Sequence, residues 1–331
     1  MKSLIIDANG DVAAGSVPDP ELSDDSVIVR VEACGLCQTD RELMTGGYGT
    51  GVRPMVPGHE YTGTLEAVGD NVEGFSAGDT VVVDPNIHCG TCRSCLRHEH
   101  QICDDLQAYG ITHFGGFAEL SSVSAENLVK IDGLSAPIAA LAEPIGCVLN
   151  GLGAARKPVM ENAMVFGAGP IGVMAGLALS EEGVESVTVV DIDDTRLRLA
   201  ESLGLGVMHG GEDLEPFTHS VDFVLDATGN PGVVGRLPKL VASGGSMLVM
   251  GVCPQDATIA IEPYDLYRRQ ISIHGSHSLN HNIAESLDLI QRIGEAKLAP
   301  VVTDKLPLDD VVEHFINPGT SSTMKVQYVP A

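Results

Sequence analysis

Cys89-x2-Cys92-x2-Cys95-x7-Cys103 crowds four thiols into one short stretch of the chain. Four thiolates fill the tetrahedral shell of Zn2+ and leave no open position, which describes a structural ion. An iron–sulfur cluster is the rival. The bacterial run has a shorter last gap and a proline after its final cysteine, where this chain has Asp104. A zinc ribbon for nucleic acid is disfavoured by charge. The chain carries 45 acidic and 19 basic residues, a net −26, and such a surface repels phosphate backbones and anionic lipids.

A second set is dispersed: Cys37, the adjacent His59-Glu60, and Glu143. Singly, such residues are usually core or surface groups. Their settings differ. Cys37 follows an alternating run through Cys34-Gly35-Leu36, and Gly58-His59-Glu60 follows Pro57. A Cys, a His and a carboxylate with one open position are what a catalytic zinc needs. Cys34 and Cys37 also read as a C-x-x-C redox pair, which leaves His59 and Glu143 unexplained.

The third set is glycine-rich and points to a dinucleotide. Gly167-Ala168-Gly169-Pro170-Ile171-Gly172 is a G-x-G-x-x-G that follows an apolar run and opens a helical one. Its glycines serve a tight turn, close approach to pyrophosphate and close helix packing, and the helix N-terminus presents unpaired amides to the phosphates. Asp191 lies 19 residues beyond Gly172, where an acid accepts hydrogen bonds from the adenosine ribose and repels the extra phosphate of NADP. NAD is therefore the expected cofactor, with Arg196 and Arg198 near enough to soften the preference. Thr228, Met250, Gly251 and Val252, at the ends of later strands, are further candidate cofactor contacts.

The elements that must hold these groups change character along the chain. Residues 1–143 read as β-rich: Val27, Val29, Val31 and Ala33 alternate with more polar neighbours, and Val81-Val82-Val83 is a short buried strand. After Pro158, strands at 163–167, 186–191, 221–226, 246–252 and 271–273 alternate with helices at 170–182 and 194–203, which predicts a doubly wound parallel sheet. An amphipathic helix around Ile283, Leu287, Ile290 and Ile293 and a strand at 325–329 complete the chain. The start of the sequence lacks the pattern of a secretory signal, and six of eight cysteines fall in two tight groups, so a reducing cytoplasm is expected. The acidic excess also fits a halophilic source.

Cys37 with Thr39-Asp40, Pro57-Gly58-His59-Glu60, the four-cysteine lobe, Glu143-Pro144 and the glycine fingerprint, in that order, make the chain resemble the zinc-dependent medium-chain alcohol dehydrogenases over essentially its whole length. Glu143-Pro144, where the alcohol branch has a cysteine ligand, looks like the polyol, sorbitol-type branch. The resemblance implies an α/β protein with a β-rich GroES-like catalytic domain (residues 1–146 and 275–331, zinc lobe at about 86–106) and a Rossmann domain (147–274). It implies two Zn2+ per chain, NAD-linked oxidation of a polyol, sugar or secondary alcohol, and a homodimer or homotetramer without membrane or nucleic-acid partners.

By the same resemblance, Cys37 and His59 are zinc ligands and the third is Glu60 or Glu143. Adjacent residues in extended chain point opposite ways, so Glu60 needs a bent backbone to join His59. Thr39 would relay the substrate proton. Relatives carry a histidine three residues further on, and this chain has Glu42. Polyol relatives also often carry an Arg-Tyr pair where this chain reads Ser276-His277-Ser278, so the substrate contacts differ there. Tyr48, Phe114 and His277 are candidate pocket walls. The competing readings are an aldose dehydrogenase of the same fold, with NADP as a possible cofactor, and a non-catalytic NAD(H)-binding redox sensor using Cys34 and Cys37.

Overall fold

Valine-rich alternation drives the first half of the chain into strands, because β-branched side chains pack well on a half-buried pleat. In the computed structural model, which describes residues 1–46, 53–155, 159–317 and 319–331, the chain divides into two compact units: Met1–Gly146 with Leu279–Ala331, and Cys147–Ser278. Tyr48 and Pro158 lie outside the described residues.

The first unit is built on a seven-stranded sheet. Its order runs Val302–Leu306, Lys325–Tyr328, Ser26–Gly35, Glu60–Val68, Thr80–Val83 and Leu128–Lys130, with Leu120–Ser124 also pairing with Ser26–Gly35. Val27, Val29, Val31, Tyr61, Leu65, Val81 and Phe117 fill the core beneath it. The register matters for the site. Gly35 is opposite Glu60 on one side and Gln327 on the other, so Lys325 and Glu60 arrive on strands that flank the same residue. A Cβ on Gly35 would stand 2.0 Å from Glu60 Oε2, so this position has room for glycine alone.

The second unit is a six-stranded parallel sheet in the order Gly206–His209, Ser186–Asp191, Asn162–Phe166, Val221–Asp226, Val241–Val249, Ser272–Gly275. Numbered within the unit, that order is 3-2-1-4-5-6, the dinucleotide-binding winding. Met164, Phe166, Val190, Val224 and Met247 are among its buried residues. Several details depart from the sequence expectation, among them the strand Gly206–His209 and the start of the next-but-one strand at Val241. The strand expected to run to Val252 ends at Val249, because the Asp226 carbonyl accepts from both Met250 N (2.9 Å) and Gly251 N (3.0 Å) and turns the chain. The return to the first unit comes after Ser278 where the sequence suggests about 275, since Asn150 Nδ2 donates to the carbonyls of His277 and Ser278. The stretch Ala136–Ala155 is long and apolar enough to cross a membrane, but 72% of its apolar window is buried within the chain.

Candidate metal centres and dinucleotide site

The sequence after the Ser26–Gly35 strand turns directly into the helix Gln38–Thr45, and Cys37 is its N-cap. Asp40, fully buried in the first helical turn, closes the cap: Oδ2 accepts from Cys37 N at 2.8 Å. Its other oxygen accepts from Gly58 N at 3.1 Å and stands 3.4 Å from His59 Nδ1. That last approach has ion-pair distance without the angle of a hydrogen bond, so charge holds the ring. One carboxylate thus fixes both Cys37 and His59, and with Nδ1 facing Asp40, Nε2 is the ring atom available to an ion. Donor atoms of Cys37, His59 and Glu60 all lie within 4.8 Å of one another. A thiolate, an imidazole and a carboxylate at that spacing fit zinc with an open coordination position.

Burial disfavours charge on His59, but Asp40 and the Cys37 sulfur outweigh it and hold the ring's pKa well above its ordinary value. A proton therefore competes with a metal for this ring more strongly than at an ordinary histidine. Metal affinity here should climb as pH rises through that raised pKa and fall in acid. At fixed free zinc, the difference in metal content between wild type and Cys37→Ser, which isolates this ion, should shrink between pH 8 and pH 5; a constant difference contradicts it. Asp40→Asn should weaken zinc binding at Cys37–His59 by about 10- to 100-fold, the usual cost of losing a carboxylate behind a ligating histidine. Zinc titration into stripped protein checks this, and unchanged affinity would refute Asp40's role.

Lys325 is a functional group that sequence spacing does not reveal. Its buried ammonium donates to Glu60 Oε1 at 2.7 Å and Oε2 at 2.8 Å. Burial works against the charge, and Glu60, Cys37 and Glu143 more than restore it. Glu143 is buried in the first turn of Ala142–Ala155 and belongs to the same charge cluster. Removing one side of a buried pair leaves the other charge uncompensated, so Lys325→Met should cost about 3–5 kcal/mol of stability. Urea unfolding of metal-free protein measures it. Adding Glu60→Gln should recover much of the loss, and no recovery would rule out the pair as its source.

Thr39 is half-buried, with Oγ1 3.8 Å from Cys37 Sγ, and Glu42 is half-buried one turn further along the helix. Cys34 is different. It is fully buried against Gly58 and Phe117 in the core, and burial, Asp40 and Glu60 push its thiol well above the ordinary range. None of the eight cysteines is joined to another in a disulfide. Phe114 lines a surface groove of about 640 Å3 with Tyr109 and His113, among residues that include none of the metal-ligand candidates.

The four-cysteine lobe is bounded by the short pair Asn86–Ile87 and Gln107–Ala108. Its sulfurs are separated by 3.5 Å (Cys92–Cys95 and Cys89–Cys103), 3.9 Å (Cys92–Cys103) and 4.0 Å (Cys89–Cys95). Four sulfurs about 2.3 Å from one zinc stand about 3.8 Å apart, so the lobe fits the ion. Amides of Thr91 and Cys92 pull the Cys89 thiol down to about 6, whereas burial and the neighbouring sulfurs push Cys95 up to about 12.

In the second unit, Gly167 turns at φ 106° after Asn162–Phe166, and Gly169 caps the helix Pro170–Glu181 with Pro170 in its first turn. Gly172 packs so closely that a Cβ there would meet Gly167 O at 1.7 Å. A Cβ on Gly169 would meet only Arg196 Nη1, at 4.0 Å, so this backbone is open to a ligand. Asp191 Oδ2 accepts from Ala168 N at 2.6 Å, tying the acid to the glycine loop. Arg196 Nε is buried without a hydrogen-bond partner among the described residues. Ile171 extends the same first turn.

Across the strand ends, fully buried Asp226 organises the second rim. Oδ1 accepts from Thr228 N (3.1 Å) and Oγ1 (2.6 Å), and Oδ2 from Gly229 N (3.2 Å). Met250 and Gly251 hang from its carbonyl, and Gly251 sits against Gly229 N. Val252 and Ile192 are 76% and 79% exposed, apolar surface suited to a flat ring. Helix amides, open glycine backbone and an acid at the end of the next strand are the groups that a dinucleotide would need.

The alcohol dehydrogenase GroES-like domain family matches residues 23–133, and the zinc-binding dehydrogenase family matches residues 170–292. Over 334 aligned residues the chain is 44% identical to D-altritol 5-dehydrogenase of Agrobacterium fabrum, with 99% of each covered. A zinc-binding dehydrogenase homologue from Sinorhizobium meliloti 1021, solved bound to NADP, superposes with TM-score 0.93 and 28% identity over 99% of each chain. A short chain alcohol dehydrogenase from E. coli CFT073, solved with NADH, gives 0.90 and 25% over 99% of each chain.

Proposed function

The chain belongs to the zinc-dependent medium-chain polyol dehydrogenases, and on that footing we propose that it oxidises a secondary CH–OH of a polyol with a nicotinamide cofactor as hydride acceptor. The observation that carries the reading is the Cys37–His59–Glu60 cluster backed by Asp40, a mixed donor set unlike the closed four-sulfur lobe. Zinc bound there supplies a Lewis acid that lowers the pKa of the substrate hydroxyl. Cys37 and His59 hold the ion, with Glu60 or Glu143 as third ligand, and Lys325 sets how readily Glu60 turns towards it. Thr39 relays the substrate proton, accepting it as its own hydroxyl proton passes on towards a ribose hydroxyl of the nicotinamide, and the exit runs through Glu42 or directly to solvent. Cys89, Cys92, Cys95 and Cys103 hold a second, structural zinc.

Asp191 beside the glycine loop favours NAD over NADP, and Arg196 tempers that choice by offering a cation near the phosphates. The split unit Met1–Gly146 with Leu279–Ala331 is the catalytic domain, and Cys147–Ser278 the cofactor domain. A homodimer or homotetramer in the cytoplasm completes the proposal, the cysteines without disulfides supporting a reducing compartment. The buried Cys34 thiol weighs against a Cys34–Cys37 redox sensor. The test is a panel of pentitols, hexitols and aldoses with NAD and NADP, with and without chelator. Chelator-sensitive reduction of NAD by a polyol is expected. Zinc-loaded protein that turns over aldoses alone, or nothing, would overturn the reading.

A further inference from the structure

Outside both metal centres the first unit gathers three imidazoles. His88 and His100 stack with centroids 4.1 Å apart, and His281 stands edge-on to both, at 4.8 and 5.2 Å. One ring nitrogen from each lies within 4.8 Å of the others. His281 Nδ1 faces the buried Asp84 Oδ2 at 2.9 Å, which leaves Nε2 as its donor. That Nε2 and His88 Nδ1 are both buried with no hydrogen-bond partner among the described residues. Buried polar atoms without partners are uncommon in folded proteins, and each asks for a water or an ion.

The cluster is also held in place before any ion arrives. Asn280 Oδ1 accepts from His100 N (3.1 Å) while its Nδ2 donates to the His98 carbonyl (2.9 Å). Asn86 Nδ2 donates to the Leu279 carbonyl (2.8 Å). Residues 279–282 are thus pinned on residues 86–100. His281 itself adopts φ 52°, in the left-handed region that histidine and asparagine enter more readily than most residues.

We propose that His88, His100 and His281 form a third metal site, for a divalent borderline ion such as Zn2+, with Asp84 orienting His281. Three neutral imidazoles suit zinc and its transition-metal neighbours and offer nothing to calcium or magnesium. A carboxylate behind a ligating histidine is the usual support of such an ion. The ion clips the returning chain at residues 279–282 to the cysteine lobe.

The test counts zinc per chain by mass spectrometry after equilibration with zinc chloride and desalting, and then titrates zinc into the chain. His281→Asn is the first variant, since asparagine tolerates positive φ and lacks the imidazole. His100→Gln is the second. Each should hold one ion fewer than the wild-type protein. Asp84→Asn should weaken that ion by about 10- to 100-fold and leave the other ions in place. Equal counts in wild type and both variants would overturn the site. Loss of two ions from His281→Asn would also overturn it, by showing that the cluster merely props the cysteine lobe. The difference between wild type and variant does not depend on polyol turnover, so this site and the proposed reaction fail separately.

Discussion

Cys37→Ser is expected to lower polyol turnover by about 10^3-fold or more, because losing a Lewis acid withdraws several kcal/mol and each 1.36 kcal/mol is a decade in rate. The serine hydroxyl keeps the shape of the N-cap and can still accept the first-turn amide, so the helix Gln38–Thr45 should survive. What disappears is the soft thiolate that zinc prefers. Dinucleotide affinity, read by NADH fluorescence, should be unchanged, since the glycine loop and Asp191 belong to the other folding unit. Retained turnover would refute a catalytic ion at Cys37. Lost NADH binding would show that the substitution damages more than the ligand set.

The second large effect is structural. Cys103→Ser should release the lobe ion and disorder residues 88–104, because the described chain there has short 3-10 turns and exposed apolar side chains, Leu96 at 72%, in place of a core. Zinc binding contributes about 10–16 kcal/mol in small zinc domains at pH 7. Hydrogen exchange should rise throughout the lobe, and zinc content should fall by the lobe ion together with the ion proposed at His88, His100 and His281, because His88 and His100 lie in the same stretch. Protection equal to wild type with the ion gone would mean that the lobe folds by itself. The sheet Ser26–Gly35/Glu60–Val68 should keep its protection, since its core residues come from outside the lobe.

How much of this was legible in the sequence divides along a physical line. The glycine fingerprint, the strand before it and Asp191 were readable because their roles are set by local geometry: a turn, a helix start and a strand end within one βαβ unit. Ser186–Asp191 and Val221–Asp226 fall where the apolar runs place them. The four cysteines were readable for the same reason, the ligands lying within one short loop. Asp40, Lys325 and Asp226 were not. Lys325 meets Glu60 across 265 positions, through a register in which Glu60 and Gln327 flank Gly35 and Lys325 lies two residues along from Gln327, and periodicity does not report register between distant strands. Asp40 could have been suspected as the acidic partner in the first turn of a helix capped by Cys37, had the cap been recognised as a thiol. The strand near Ser246 was extended too far because Met250-Gly251-Val252 is apolar. The turn there is imposed by Asp226 on the neighbouring strand. Gly206–His209 was missed because its four residues carry little apolar signal.

The central claim is that an ion sits between Cys37 and His59, apart from the ion in the cysteine lobe. Diffraction on both sides of the zinc absorption edge, from crystals grown with zinc and NADH, tests this most directly. An anomalous peak bounded by Cys37 Sγ, the His59 ring and a carboxylate of Glu60 or Glu143 is expected. A peak within the cysteine lobe with none between Cys37 and His59 would contradict it.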